Sequence, residues 1–123
     1  MKNIEEKDLF KWANILIEPE FLDKHIIVDQ INRSKMYVKE SYVDACFAGF
    51  KIAGEVKRYP HNVKVPIEMS IFRRNGIPID FLLFLSDGVV FEMEIADYDF
   101  LELDPLNFDF SKREYRVSEK VRI

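Results

Sequence analysis

The chain has a single cysteine, Cys46, and only four glycines, which are too scattered to form a phosphate-binding loop. One cysteine excludes an intrachain disulfide and a thiolate metal cluster. Within Ala45-Cys46-Phe47-Ala48 it reads as a small buried hydrophobe, a usage that fits a reducing cytoplasm. No stretch approaches the roughly 20 consecutive apolar residues of a membrane span. The start, Met1-Lys2-Asn3-Ile4-Glu5-Glu6, turns acidic where a signal peptide would be apolar. A cytoplasmic location without membrane contact is therefore expected. The most informative absence is of positive charge, because residues 75–111 contain no Lys or Arg.

That stretch carries nine carboxylates: Asp80, Asp87, Glu92, Glu94, Asp97, Asp99, Glu102, Asp104 and Asp109. All 18 Lys and Arg lie in the rest of the chain, which is basic on balance although the whole carries −4. Such asymmetry bears on partners and association, not on fold. At 123 residues, 48% of them hydrophobic, the chain is long enough for one core and too apolar for disorder. Residues 1–123 are expected to form a single α+β domain, with two N-terminal helices on a mainly antiparallel sheet ending in a three-strand meander.

The helices are read from periodicity. Asn3 as N-cap with Glu6 three residues on makes a capping box. Leu9, Phe10, Ala13, Leu16 and Ile17 then share one face, with Trp12 at its edge. Pro19 ends this helix and is placed to open a second, which runs to about Asn32 with His25 on its apolar side.

From Met36 the pattern turns to strand. Residues 36–38 and 45–53 are apolar stretches divided by Lys39-Glu40-Ser41. Residues 65–72 alternate, 77–85 are nearly all apolar, and 89–96 alternate again. Asn75-Gly76 and Asp87-Gly88 separate them, both typical of tight hairpins whose central positions need positive φ. The middle strand lacks a polar face, so a cover on both sides is expected. The charged tail, residues 111–123, has Tyr115 and Val117 on one side and is read as a last strand or a free end.

Chemistry is sparsely represented. Cys46 with His25 or His61 would make a dyad only if the fold brought them together. Lys57-Arg58 and Arg73-Arg74 are modest basic patches in an acidic chain, so no nucleic-acid partner is expected. Glu92 and Glu94 share a strand face about 6.5–7 Å apart, a spacing that admits a metal, an acid–base pair or a solvated surface. Phe100 and Leu101 interrupt any alternating ligand series, and no His lies nearby. No catalytic residue, metal or cofactor is therefore assigned. A further option is a surface for a basic protein partner. On that reading Glu92, Glu94, Asp97, Asp99, Glu102 and Asp104 supply the attraction and Tyr98 an aromatic anchor.

Three segments carry a resemblance: Val65-Pro66-Ile67-Glu68-Met69, Asn75-Gly76-Ile77-Pro78-Ile79, and Asp87-Gly88 followed by Phe91-Glu92-Met93-Glu94-Ile95. This region, about a third of the chain, resembles a group of small bacterial proteins. Their three-strand core ends in a hydrophobic–Glu–hydrophobic–Glu–hydrophobic strand after an Asp-Gly turn. The resemblance implies a single α+β domain and, for some of the group, an immunity protein encoded beside a polymorphic or contact-dependent toxin. The expected function is then non-enzymatic: neutralisation of a nuclease-like toxin by occluding its basic active site. The alternatives are a self-associating domain, with a homodimer covering the apolar middle strand, and an enzyme built on the carboxylate pair.

Overall fold

In the computed structural model, residues 4–97 and 112–123 are described. The elements run α1 (Glu6–Leu16), α2 (Lys24–Asn32), β1 (Ser34–Ser41), β2 (Ala45–Ile52), β3 (Ile67–Phe72), β4 (Pro78–Ser86), β5 (Val89–Asp97) and β6 (Arg113–Val117). A short 3-10 turn, Glu119–Val121, follows and buries Val121 completely. Among the described residues all the strand pairings are antiparallel, giving one six-stranded sheet in the order β1-β2-β5-β4-β3-β6.

Both helices pack on one face of this sheet. Leu9, Trp12, Ala13 and Leu16 are the buried residues of α1, and Ile26, Ile27, Gln30 and Ile31 those of α2. The sheet answers with alternate residues, as the two-residue strand period requires. These are Ile67, Met69 and Ile71 of β3, Ile79, Phe81, Leu83 and Leu85 of β4, and Val90, Met93 and Ile95 of β5. Trp12 is at the centre of this layer, not at an edge, because its ring stacks on Phe81 with centroids 4.7 Å apart. Such a pair adds about 0.5–1.5 kcal/mol to the burial of the two rings.

Several local expectations are corrected. Glu5, not Asn3, is the N-cap of α1, and the Asp8 carboxylate accepts from the Glu5 N–H at 3.2 Å. Pro19 stops α1 but does not open α2, which begins five residues later after Asp23 in a left-handed conformation. His25 is exposed instead of lying on the apolar side. At Asp87-Gly88 both φ angles are positive, 50° and 77°, as a two-residue hairpin demands. At Asn75-Gly76 only the glycine is positive; the Asn75 side chain instead accepts from the Ile77 N–H at 3.0 Å.

The expected C-terminal meander is true only of local pairing. β3 pairs with β4 and β4 with β5, but these strands fill the middle of the sheet. β5 lies beside β2, and β6 adds outside β3, so the sheet is not a simple meander. The tail is thus an edge strand, held to α1 by Tyr115. Its hydroxyl donates to the Ile15 carbonyl at 3.2 Å, and burial and Glu18 push its pKa to about 12.

Candidate functional site

The face of the sheet turned away from the helices holds two of the carboxylates that the sequence singled out, Glu92 and Glu94. Strand register builds it in cross-strand rows. Tyr37, Gly49, Glu92 and Phe84 form one row across β1, β2, β5 and β4. Phe47, Glu94, Leu82, Glu68 and Arg116 form the next, across β2, β5, β4, β3 and β6. Ala96, Asp80, Ser70 and Glu114 make a third. On the three central strands this outer face therefore carries Glu68, Asp80, Glu92 and Glu94 and no Lys or Arg.

The middle strand is the point at which the all-apolar reading of β4 needs correction. Asp80, Leu82 and Phe84 alternate with the buried Ile79, Phe81 and Leu83, so the strand does have an outer face, polar at one end. Leu82 and Phe84 are half-buried there, and both described helices lie on the opposite side of the sheet.

Each carboxylate has a distinct surrounding. Asp80 accepts from the Ser70 hydroxyl at 2.5 Å. Glu68 meets Arg116, which reaches in from the edge strand at 3.4 Å. Glu92 meets Lys39 of the other edge strand at 3.2 Å. Glu94 has no ion-pair or hydrogen-bond partner among the described residues, and burial, then the charge of Glu92, raises its pKa. No cation can reach it from residues 98–111, because that segment contains none.

That shift predicts how stability responds to pH. A raised folded-state pKa means that the ionised carboxylate weakens the fold, and the penalty disappears as pH falls through the raised value towards the ordinary 4.5. Glu94→Gln should therefore be more stable than the parent at pH 7, with the difference shrinking in acid below about pH 4.5. Urea unfolding at both pH values checks this. A destabilised Glu94→Gln at neutral pH would mean that the carboxylate already holds a contact within the chain.

Asp97 separates from the other two acids of its strand. It is fully buried, on the helix side of β5, and pairs with the Arg73 guanidinium. Its N–H also bonds the Asp44 carbonyl at 2.7 Å. It is a structural group and is not part of the outer face. Tyr98, Asp99, Glu102 and Asp104 lie outside the described residues.

The nucleophile option finds no geometry. Cys46 is buried beneath the helices, and burial pushes its thiol pKa up. No hydrogen bond joins it to either histidine. His61 instead meets the Asp23 carboxylate at 2.8 Å. Among the described residues no group of three His, Cys, Asp or Glu is placed to hold a metal, and no helix is long and apolar enough to cross a membrane.

Sequence reasoning missed the residues that shape the outer face around Glu92. The Tyr37 ring crowds Gly49, and a Cβ there would meet its Cζ at 2.5 Å. Lys39 sits 4.3 Å from the centre of the Phe91 ring. Both Lys39 and Phe91 are extra residues in their strands. Register shifts between Val38 and Glu40 in β1, and β5 gains one residue opposite Phe84 and Leu85. Nothing in the alternation of β1 or β5 marks a bulge, since its position depends on the partner strand. Comparison with protein-family models, curated proteins and solved structures finds no match to this chain.

Proposed function

We propose that this chain is a non-catalytic cytoplasmic binding protein, an immunity protein that neutralises a toxin by laying the outer face of its sheet over a basic active site. The observation that carries the reading is Glu94. It is a carboxylate with a raised pKa and no cation partner among the described residues, set between Phe47 and Leu82 in the centre of the face. A partner's Lys or Arg would relieve the repulsion from Glu92, while Leu82, Phe84 and Phe47 supply apolar area around the charge. The acidic run continues past β5 through Asp99, Glu102 and Asp104, with Tyr98 as anchor, so those residues extend the same interface in this reading. The resemblance of residues 65–97 to a group of small bacterial proteins, some of them thought to be immunity proteins, agrees with it.

The test uses the toxin domain encoded next to this chain, expressed with and without it. The parent should protect the cell and bind the domain with an affinity that falls with salt. Glu92→Lys with Glu94→Lys should weaken binding at least tenfold, since close interfacial charge pairs couple by about 1.5–7 kcal/mol. A neighbouring gene with no toxin domain, or full protection by the doubly reversed protein, would overturn the proposal.

A further inference from the structure

We infer that the notch between Phe91 and Glu92 is a receptor for an arginine of the partner, and that Lys39 occupies it as a removable stand-in. The inference rests on the reading above and names the contact by which the face accepts a cation. Its basis is the meeting of two bulges. The extra residue of β1 supplies Lys39 and the extra residue of β5 supplies Phe91, and the ammonium of the first lies 4.3 Å from the ring centre of the second. The same ammonium is 3.2 Å from a Glu92 carboxylate oxygen. An aromatic face beside a carboxylate is the pairing that holds an organic cation. Bulges re-aim side chains at sites of function, and these two aim at one another across β2.

The surroundings of the three groups explain why the occupant can change while the site cannot stand empty. The Glu92 side chain is only 19% exposed, so leaving it without a cation is costly. Phe91 is 48% exposed, a large ring in solvent beside that carboxylate. Lys39 is at the sheet edge on a flexible four-carbon stem, and it can swing into water without breaking a backbone bond. What replaces it must bring its own positive charge. A guanidinium fits better than a second ammonium, because its plane stacks on the ring while its fork of donors faces a carboxylate. Glu94, next along the same strand face, offers a second acceptor that Lys39 does not use.

The probe is a fluorescent hexa-arginine peptide, titrated by anisotropy at about 50 mM salt, where exposed charges are least screened. In the same titration, NMR follows the Lys39 side-chain methylenes, whose signals the Phe91 ring current should shift upfield when the ammonium lies over the ring. Binding should return these signals towards their values in an unfolded chain. Lys39→Met should tighten peptide binding by up to about fivefold, the worth of one partly exposed ion pair. Lys35→Met, which removes the same charge from the same strand away from the notch, should change it less than about twofold. Phe91→Leu should weaken it by about two- to fivefold.

If the peptide binds and Glu94→Gln weakens it, yet the Lys39 signals stay upfield and Lys39→Met behaves as Lys35→Met, the notch is not the receptor. The acidic-face reading would survive that result. If the peptide binds neither the parent nor Lys39→Met, or binds Glu94→Gln as well as the parent, the reading itself fails and the notch with it.

Discussion

Gln30→Leu is expected to lower the unfolding free energy by about 2–4 kcal/mol, because it orphans the buried Val90 N–H and the half-buried Lys57 carbonyl while leaving the apolar packing nearly unchanged. Gln30 is fully buried on α2. Its amide nitrogen donates to the carbonyls of Lys57 and Gly88 at 2.8 and 2.9 Å, and its amide oxygen accepts from the Val90 N–H at 2.8 Å. One side chain therefore ties a helix to the long β2–β3 connection and to the β4–β5 hairpin. Leucine would leave the Lys57 carbonyl and the Val90 N–H without partners. The Gly88 carbonyl would keep its bond from the Tyr59 N–H at 2.8 Å. Trp12, the sole tryptophan, stacked in the core, gives a fluorescence signal for urea unfolding. A loss below about 1 kcal/mol would show that water replaces the amide, which is typical of an exposed site and not of a buried one.

Arg73→Met should cost a similar amount, about 3–5 kcal/mol, for a different reason. It leaves the Asp97 carboxylate fully buried without the guanidinium that pairs with it. Arg73→Lys, which keeps the charge, should cost less. The effect on binding separates Asp97 from its neighbours. At a temperature where Arg73→Met remains folded, its affinity for a basic partner should equal the parent's, whereas Glu94→Lys loses affinity without a comparable loss of stability. Should Arg73→Met weaken binding as much as Glu94→Lys, the ion pair would belong to the interface.

The strands of the β3–β5 region were legible because their signals are local. Alternation sets each face, and Asp87-Gly88 adopts the left-handed angles that its turn requires. Asn75-Gly76 has equally good residues but a different turn, because the loop there also closes through the bond from the Gly76 N–H to the Arg73 carbonyl. Glu92 and Glu94 were correctly placed on one face, since a period of two needs no knowledge of the neighbours. Asp97 follows from the same rule: an odd number of residues from either glutamate puts it on the opposite side. The charge run obscured what the alternation already implied.

Lys39, Phe91 and Gln30 were not legible. A lysine in a polar stretch, a phenylalanine in a strand and a glutamine in a helix are ordinary residues until their partners are known. Those partners are distant in sequence: Glu92 for Lys39, and Val90, sixty residues away, for Gln30. A bulge, likewise, is a mismatch between two strands and has no signature in either alone.

The sequence alone determined the absence of cations from residues 75–111, and with it the sign of the field that the β4–β5 region presents. Charge is a property of composition and survives any fold. Only the tertiary structure decided which of those carboxylates act together. Strand pairing set Glu92 and Glu94 on the outer face, turned Asp97 into the core against Arg73, and brought Lys39 to Glu92 while no cation among the described residues meets Glu94. The reason is that pairing register and bulges, set by contacts between distant segments, fix where each alternating side chain ends.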